Sequence, residues 1–234
     1  MKLTWLGHSA FRIEFGSSVV LIDPFLKGNP SFTGDFATVT KGVTHILLTH
    51  GHDDHMGDTL EIAKATGAQL IANYEVCMFY AEQGIKNINP GNTGGEVSAG
   101  EFSVVFTPAL HSAGVVRDGK SIYLGNPNGL ILKHAHSPVL YHMGDTDIFS
   151  DLALIAELHA PEVVLIPIGD RFTMGPRTAS IALRRYLRPA VALPIHYATF
   201  DMLVQDASTF VADMAGSETK ILVPKVGDVL DLPA

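Results

Sequence analysis

The sequence predicts an α+β architecture in which β-sheets pack together beneath outer helices, and three observations lead there. Strands with antiparallel hairpin character dominate the first and middle thirds. Helices interrupt them at only a few points, and no linker-like stretch divides the pattern. The apolar fraction is 47% and the charged fraction 17% over 234 residues, which supports a sizeable core and excludes a disordered chain.

Taken in order, residues 3–15 and 18–22 alternate or run apolar, broken at Gly16-Ser17, and 43–49 form a third run. The intervening 23–40 are rich in Gly, Pro and Asn and read as loop. Helical spacing follows over 59–66, with Asp58 and Glu61 as a capping pair and Gly67 as the stop. A short strand (69–72) and a helix (75–83) come next. Strands are expected at 102–107, 121–124, 130–133 and 139–142, with Gly125–Gly129 as a hairpin turn. Helix 151–159, strand 163–168, helix 176–187 opened by Pro176, strand 191–195, helix 205–215 and one or two strands in 221–232 complete the chain. Residues 1–234 thus read as a single domain.

Composition narrows the function classes. Cys77 is the only cysteine, so neither a disulfide framework nor a thiolate metal site is available. Sixteen basic against 24 acidic residues give a net charge of −8, which disfavours a nucleic-acid partner. No leader-like or membrane-spanning stretch is evident, so a cytoplasmic protein acting on a small molecule is expected, with self-association open.

The eleven histidines are unevenly spread. Residues 50–55 read His50-Gly-His52-Asp53-Asp54-His55, between an apolar run and a helix. At a strand end, residues two apart face the same way, so His50, His52 and Asp54 are expected to converge, with the following turn bringing His55 round. Three imidazoles and a carboxylate suit a divalent ion such as Zn²⁺. The competing reading, a surface turn of solvated histidines, leaves the rest of the chain unexplained. His111, Asp145 and His196 each follow an apolar strand and open a loop, where distant segments can meet at one rim. Together the seven donors His50, His52, Asp54, His55, His111, Asp145 and His196 are what two metal ions sharing a carboxylate need.

In that order and spacing, these residues resemble the metallo-β-lactamase superfamily. Trp5–Phe11 (Trp-Leu-Gly-His-Ser-Ala-Phe), Ile166–Pro176 and Pro194–Phe200 are similar to the small prokaryotic metal-dependent hydrolases grouped near L-ascorbate-6-phosphate lactonase. The resemblance covers essentially the whole chain and implies an α/β (α+β) fold, the four-layer αββα sandwich with metals at one edge. It implies His50, His52 and His111 on one ion, Asp54, His55 and His196 on the second, and Asp145 bridging both. It implies hydrolysis by a metal-bridging hydroxide of a small, anionic ester, lactone or phosphodiester. Two divalent ions are expected, Zn²⁺ foremost, with Mn²⁺, Fe²⁺ or Ni²⁺ as alternatives. A nucleotide phosphodiesterase and a metal-binding sensor without turnover are the alternative functions.

Asp54 carries the expected catalytic role, orienting the nucleophile or passing its proton. Asp23 is expected to hold a ligand histidine from behind, His8 to face the site, and Arg171 to grip an anionic substrate group. His134 and His136 read as solvated, His45 and His159 as structural, and His142 as core or support for a ligand. Asn126 and Asn128 read as turn residues, and loops 24–40 and 112–120 hold the substrate specificity.

Overall fold

The computed structural model describes residues 1–232; the last two positions of the expected 1–234 unit lie outside the described residues. In the first half, β1 (Lys2–Trp5), β2 (Phe11–Phe15) and β3 (Ser18–Ile22) form an antiparallel meander. Helix α1 (Phe36–Thr40) leads to β4 (His45–Leu47), α2 (Asp53–Met56) and α3 (Thr59–Thr66) to β5 (Gln69–Asn73), and α4 (Tyr74–Glu82) to β6 (Ile88–Gly91). From β3 to β6 every pairing is parallel.

The second half repeats this plan. Strands β7 (Glu96–Ala99) and β8 (Phe102–Pro108) pair antiparallel, and a separate hairpin of β9 (Gly114–Arg117) and β10 (Lys120–Tyr123) follows. Strand β11 (Asn128–His134) then lies antiparallel between β8 and β12 (Leu140–His142). Helix α5 (Leu152–His159) precedes β13 (Val163–Pro167), and α6 (Pro176–Ala182) runs into a π-helical turn (Leu183–Leu187) before β14 (Val191–Ile195). Helix α7 (Ser208–Asp213) leads to β15 (Lys220–Ile221), and β12 to β15 pair in parallel. The final strand β16 (Val229–Asp231) crosses back to pair with β1. Two seven-stranded sheets result, ordered β16-β1-β2-β3-β4-β5-β6 and β15-β14-β13-β12-β11-β8-β7.

Strand periodicity sorts the first sheet's side chains between two cores. Val20 and Ile22, Leu47 and Ile71 point into the space shared with Phe106, Leu130, Tyr141 and Ile166 of the second sheet. Their alternates Leu21, Ile46, Leu48, Leu70 and Ala72 pack against Ile62, Ala63, Val76 and Tyr80 of α3 and α4. Leu152 and Ile155 of α5, Ala179 and Ala182 of α6 and Phe210 of α7 join the core of the second sheet. Parallel strands covered on both faces need continuous apolar runs, and Val163–Pro167 is buried throughout.

Three local expectations are corrected. Gly125–Gly129 is no hairpin turn: β10 pairs only with β9, so the segment carries the chain from that hairpin into the second sheet. The 23–40 loop contains α1, capped by the Asp35 carboxylate on the Thr38 amide. Asp58 and Glu61 form no capping pair; the Asp58 carboxylate accepts from the Leu26 and Lys27 amides, and Glu61 pairs with Lys27 Nζ. Gly67 ends α3 in the left-handed conformation, as its position implies.

Candidate metal centre

Strand direction decides where the candidate residues meet. Strands β1, β3 and β4 run the same way in one sheet, as do β8, β12, β13 and β14 in the other. The segments leaving their C-terminal ends carry His8, Asp23, His50–His55, His111, Asp145, Asp170–Phe172 and His196. All seven expected metal donors gather at this edge. The donor atoms of His50, His52 and His111 lie within 4.8 Å of one another, as do those of His8, Asp54, His55 and His196, and those of His50, His55 and Asp145. Asp145 stands between the clusters: its Oδ1 is 3.3 Å from His55 Nε2, and its Oδ2 is 3.0 Å from His196 Nε2 and 3.5 Å from His111 Nε2.

The convergence of residues 50–55 has a different cause from the expected strand alternation. Strand β4 ends at Leu47, the chain bends through His50, and α2 starts at Asp53 with His52 as its N-cap. Asp54 and His55 therefore project from a helical turn.

Ring tautomers follow from the hydrogen bonds behind the site. The buried Asp23 carboxylate accepts from the Thr49 amide (2.8 Å), the Thr49 hydroxyl (2.7 Å) and His55 Nδ1 (2.7 Å). Because the Thr49 proton goes to Asp23, its oxygen accepts from His50 Nδ1 at 2.9 Å. Both His50 and His55 are thus left with Nε2 facing the clusters. Asp23 takes the supporting place the sequence implies, and through Thr49, which carried no sequence signal, it orients two rings.

His142 is buried beneath Asp145. Its Nδ1 accepts from the Gly144 amide and its Nε2 donates to the Ser9 carbonyl, so it steadies the Asp145 turn. His8 sits in the left-handed β1–β2 turn, fully buried, with Nε2 3.2 Å from Asp54 Oδ2 and Nδ1 3.0 Å from Thr199 Oγ1. Its carbonyl accepts from Trp5 Nε1 and from the His196 amide, while the Trp5 ring stacks on Tyr197 at 5.5 Å. The 5–11 and 194–200 motifs therefore clasp one another across the two sheets. His134, His136, His45 and His159 stand apart from the clusters.

The polar atoms of these residues fit metal ions. His55 Nε2 and Asp145 Oδ1 are buried without a hydrogen-bond partner. When Asp23 holds the proton on His55 Nδ1, these are two acceptors facing each other, an arrangement that a cation resolves. The same place attracts positive charge: burial works to lower the His55 pKa, but Asp145 and Asp23 hold it well above the ordinary histidine value. Asp145 lies well below the usual carboxylate range despite burial, through His196 and His55. Asp54 is lowered likewise by His55 and His8 against its own burial. Burial lowers the pKa of His50, His52 and His111, which favours the neutral form in which imidazole binds metal.

A cavity of about 290 Å³ opens over the clusters, lined by His52, Asp54, His111, Ser112, Asp145, Phe172 and His196. Ser112 and Phe172 were missed in the sequence. Arg171 is exposed and stands beside the lining, its guanidinium 5.6 Å from the Phe172 ring centre.

A family model described as the Beta-lactamase superfamily domain matches residues 2–196. The chain belongs to the metallo-β-lactamase superfamily. The αββα sandwich expected from the sequence is thus borne out. Within the superfamily, a UPF0173 metal-dependent hydrolase of Methylocella silvestris is 57% identical over 227 residues, covering 97% of this chain and 98% of the relative. One from Chelativorans sp. is 53% identical over 234 residues, covering 99% and 100%. Among solved structures, Igni18, a metallo hydrolase from Ignicoccus hospitalis, superposes with a TM-score of 0.87 at 33% identity, covering 98% of this chain and 97% of its own. An isothiocyanate hydrolase from Delia radicum gut bacteria gives 0.80 at 21% identity with full coverage of both chains, a likeness of fold. Among the described residues no helix is long and apolar enough to cross a membrane.

Proposed function

We propose that this chain is a metal-dependent hydrolase that cleaves small esters or lactones at a site for two divalent ions. The observation that carries the reading is the meeting of seven donors at one sheet edge, with His55 Nε2 and Asp145 Oδ1 buried and unpartnered between the two clusters. His50, His52 and His111 would hold one ion, Asp54, His55 and His196 the other, and Asp145 both, with Zn²⁺ the first candidate. Such ions, when bound, acidify water and polarise a carbonyl or phosphoryl oxygen.

The chain's own groups do the rest. Asp23 keeps His55 and, through Thr49, His50 turned toward the cavity. His8 holds Asp54 Oδ2 from behind, so that this carboxylate would keep one oxygen on the ion and turn the other toward the attacking water. Hydrolysis consumes that water and yields an acid and an alcohol. The similarity to relatives named metal-dependent hydrolases supports this chemistry. The reading keeps residues 1–234 as one domain acting in the cytoplasm.

The test is metal analysis followed by turnover of lactone, aryl ester, thioester and phosphodiester substrates before and after chelation. Ester or lactone turnover that vanishes on stripping and returns with two equivalents of metal supports the proposal. Two bound equivalents without hydrolysis of any substrate would make the protein a metal-binding sensor instead. Turnover confined to phosphodiesters would replace the substrate class.

A further inference from the structure

Every residue lining the cavity except Ser112 and Phe172 belongs to the donor set, so these two are what distinguish one substrate from another there. Phe172 is 51% exposed, and its ring is the large apolar group in a lining otherwise made of imidazoles, carboxylates and one serine. Its loop is held firmly at both ends. Ile168 and Met174 are buried, the Ile168 amide donates to the Ile195 carbonyl, and the Met174 amide donates to the Thr146 carbonyl beside Asp145. Between these anchors Asp170 and Arg171 both adopt left-handed backbone, with φ of 60° and 45°. Two successive non-glycine residues in that region are costly, and such strain persists only where the surroundings enforce it. The consequence is an aromatic ring fixed at the cavity wall, while among the described residues no lysine or arginine lines the cavity.

We propose that Phe172 is the specificity-determining wall of this site, selecting esters and lactones that carry a planar or apolar substituent over those that carry none. The ring stacks on that substituent and places the reacting carbonyl over the donor clusters. Arg171, outside the lining, stiffens the ring from beside it through its cation–π contact. This inference rests on the hydrolase reading for its reacting bond, but the recognition element is separable from turnover.

The experiment uses metal-replete full-length protein and two readouts. Calorimetry compares benzoate and acetate as ligands in the wild type, Phe172→Ala and Phe172→Tyr; kinetics compares phenyl acetate with methyl acetate. The wild type is expected to prefer benzoate to acetate by roughly tenfold. Phe172→Ala is expected to erase the preference and raise KM for phenyl acetate by a similar factor, and Phe172→Tyr to restore both, with metal stoichiometry constant throughout. A benzoate preference that survives in Phe172→Ala, or the lack of one in the wild type, overturns the inference. If no ester is turned over yet the benzoate preference depends on Phe172, the hydrolase reading fails and the recognition role stands.

Discussion

Replacing Asp23 by Asn keeps the shape of the side chain while removing the charge and one acceptor. The wild-type carboxylate accepts three hydrogen bonds, all 2.7–2.8 Å long, from two Thr49 groups and His55. An amide can still accept from the Thr49 N–H through its oxygen. Its NH₂ then faces the Thr49 hydroxyl and His55 Nδ1, both of which are donors in the wild type. The hydroxyl can rotate, but His55 must move its proton to Nε2, where it meets Asp145 and blocks the metal-facing lone pair. The freed Thr49 proton also turns toward His50 Nδ1, reversing that ring. The folded protein is expected to lose about 1–3 kcal/mol for the mismatched buried group. Metal affinity should fall about 10–100-fold, the usual cost of losing a partner that orients a ligand. Urea denaturation of the metal-free protein and competitive chelator titration measure the two effects separately. Thr49→Val, which removes the hydroxyl's contacts with Asp23 and His50 but leaves the Asp23–His55 hydrogen bond, should weaken binding less than Asp23→Asn. Wild-type metal affinity in a folded Asp23→Asn protein would refute the claim that Asp23 sets these tautomers.

Asp145→Ala should lower metal occupancy and abolish turnover while the fold survives, whereas His134→Ala should change neither; unchanged metal content in the former would refute the bridging role. Gly169→Ala drives a methyl group into the His196 carbonyl oxygen, so it should displace His196 and reduce binding at the cluster with Asp54 and His55; full two-metal stoichiometry there would contradict the packing. Stability of the metal-free protein should fall between pH 6.5 and about 4. Burial depresses His142, and burial with His196 pushes His8 down to about 4, so the unfolded chain takes up protons that these folded residues refuse. Their contribution is complete above pH 6.5 and lost as pH drops through that window, roughly 3 kcal/mol for His8 alone. His55, raised in the folded state, acts above pH 6.5, and the lowered Asp145 acts below the ordinary carboxylate range, so neither masks the trend. Urea midpoints in chelator at pH 6.5 and 4.5 check this, and equal midpoints would refute it.

Much of the fold was legible because burial imposes its period on the strands. Helix 59–66 and strand 191–195 match the structure end to end, since each is bounded by its own stop signals and covered by the core. Strand β6, Ile-Asn-Pro-Gly, was not legible: its place rests on parallel pairing with β5, a long-range contact that leaves no local period. Strand β9 was hidden in the 112–120 loop because Val115 and Val116 sit next to turn residues and pair only with the adjacent β10. The donor residues were visible as residue types in order, but the device that joins them was not. Sequence alternation suggested a strand end for 50–55, whereas an irregular bend and the first turn of α2 do the work. His8 was expected at the site, but nothing in the sequence showed how its ring would get there. Its left-handed turn after Gly7, and a carbonyl shared by Trp5 and His196, are what bring its ring to Asp54.

Anomalous diffraction from crystals of the metal-replete protein tests the central claim most directly. Two peaks are expected, one among His50, His52 and His111 and one among Asp54, His55 and His196, with an Asp145 oxygen on each. A single peak, or metal bound away from Asp145, would contradict the two-ion site on which the proposed chemistry depends.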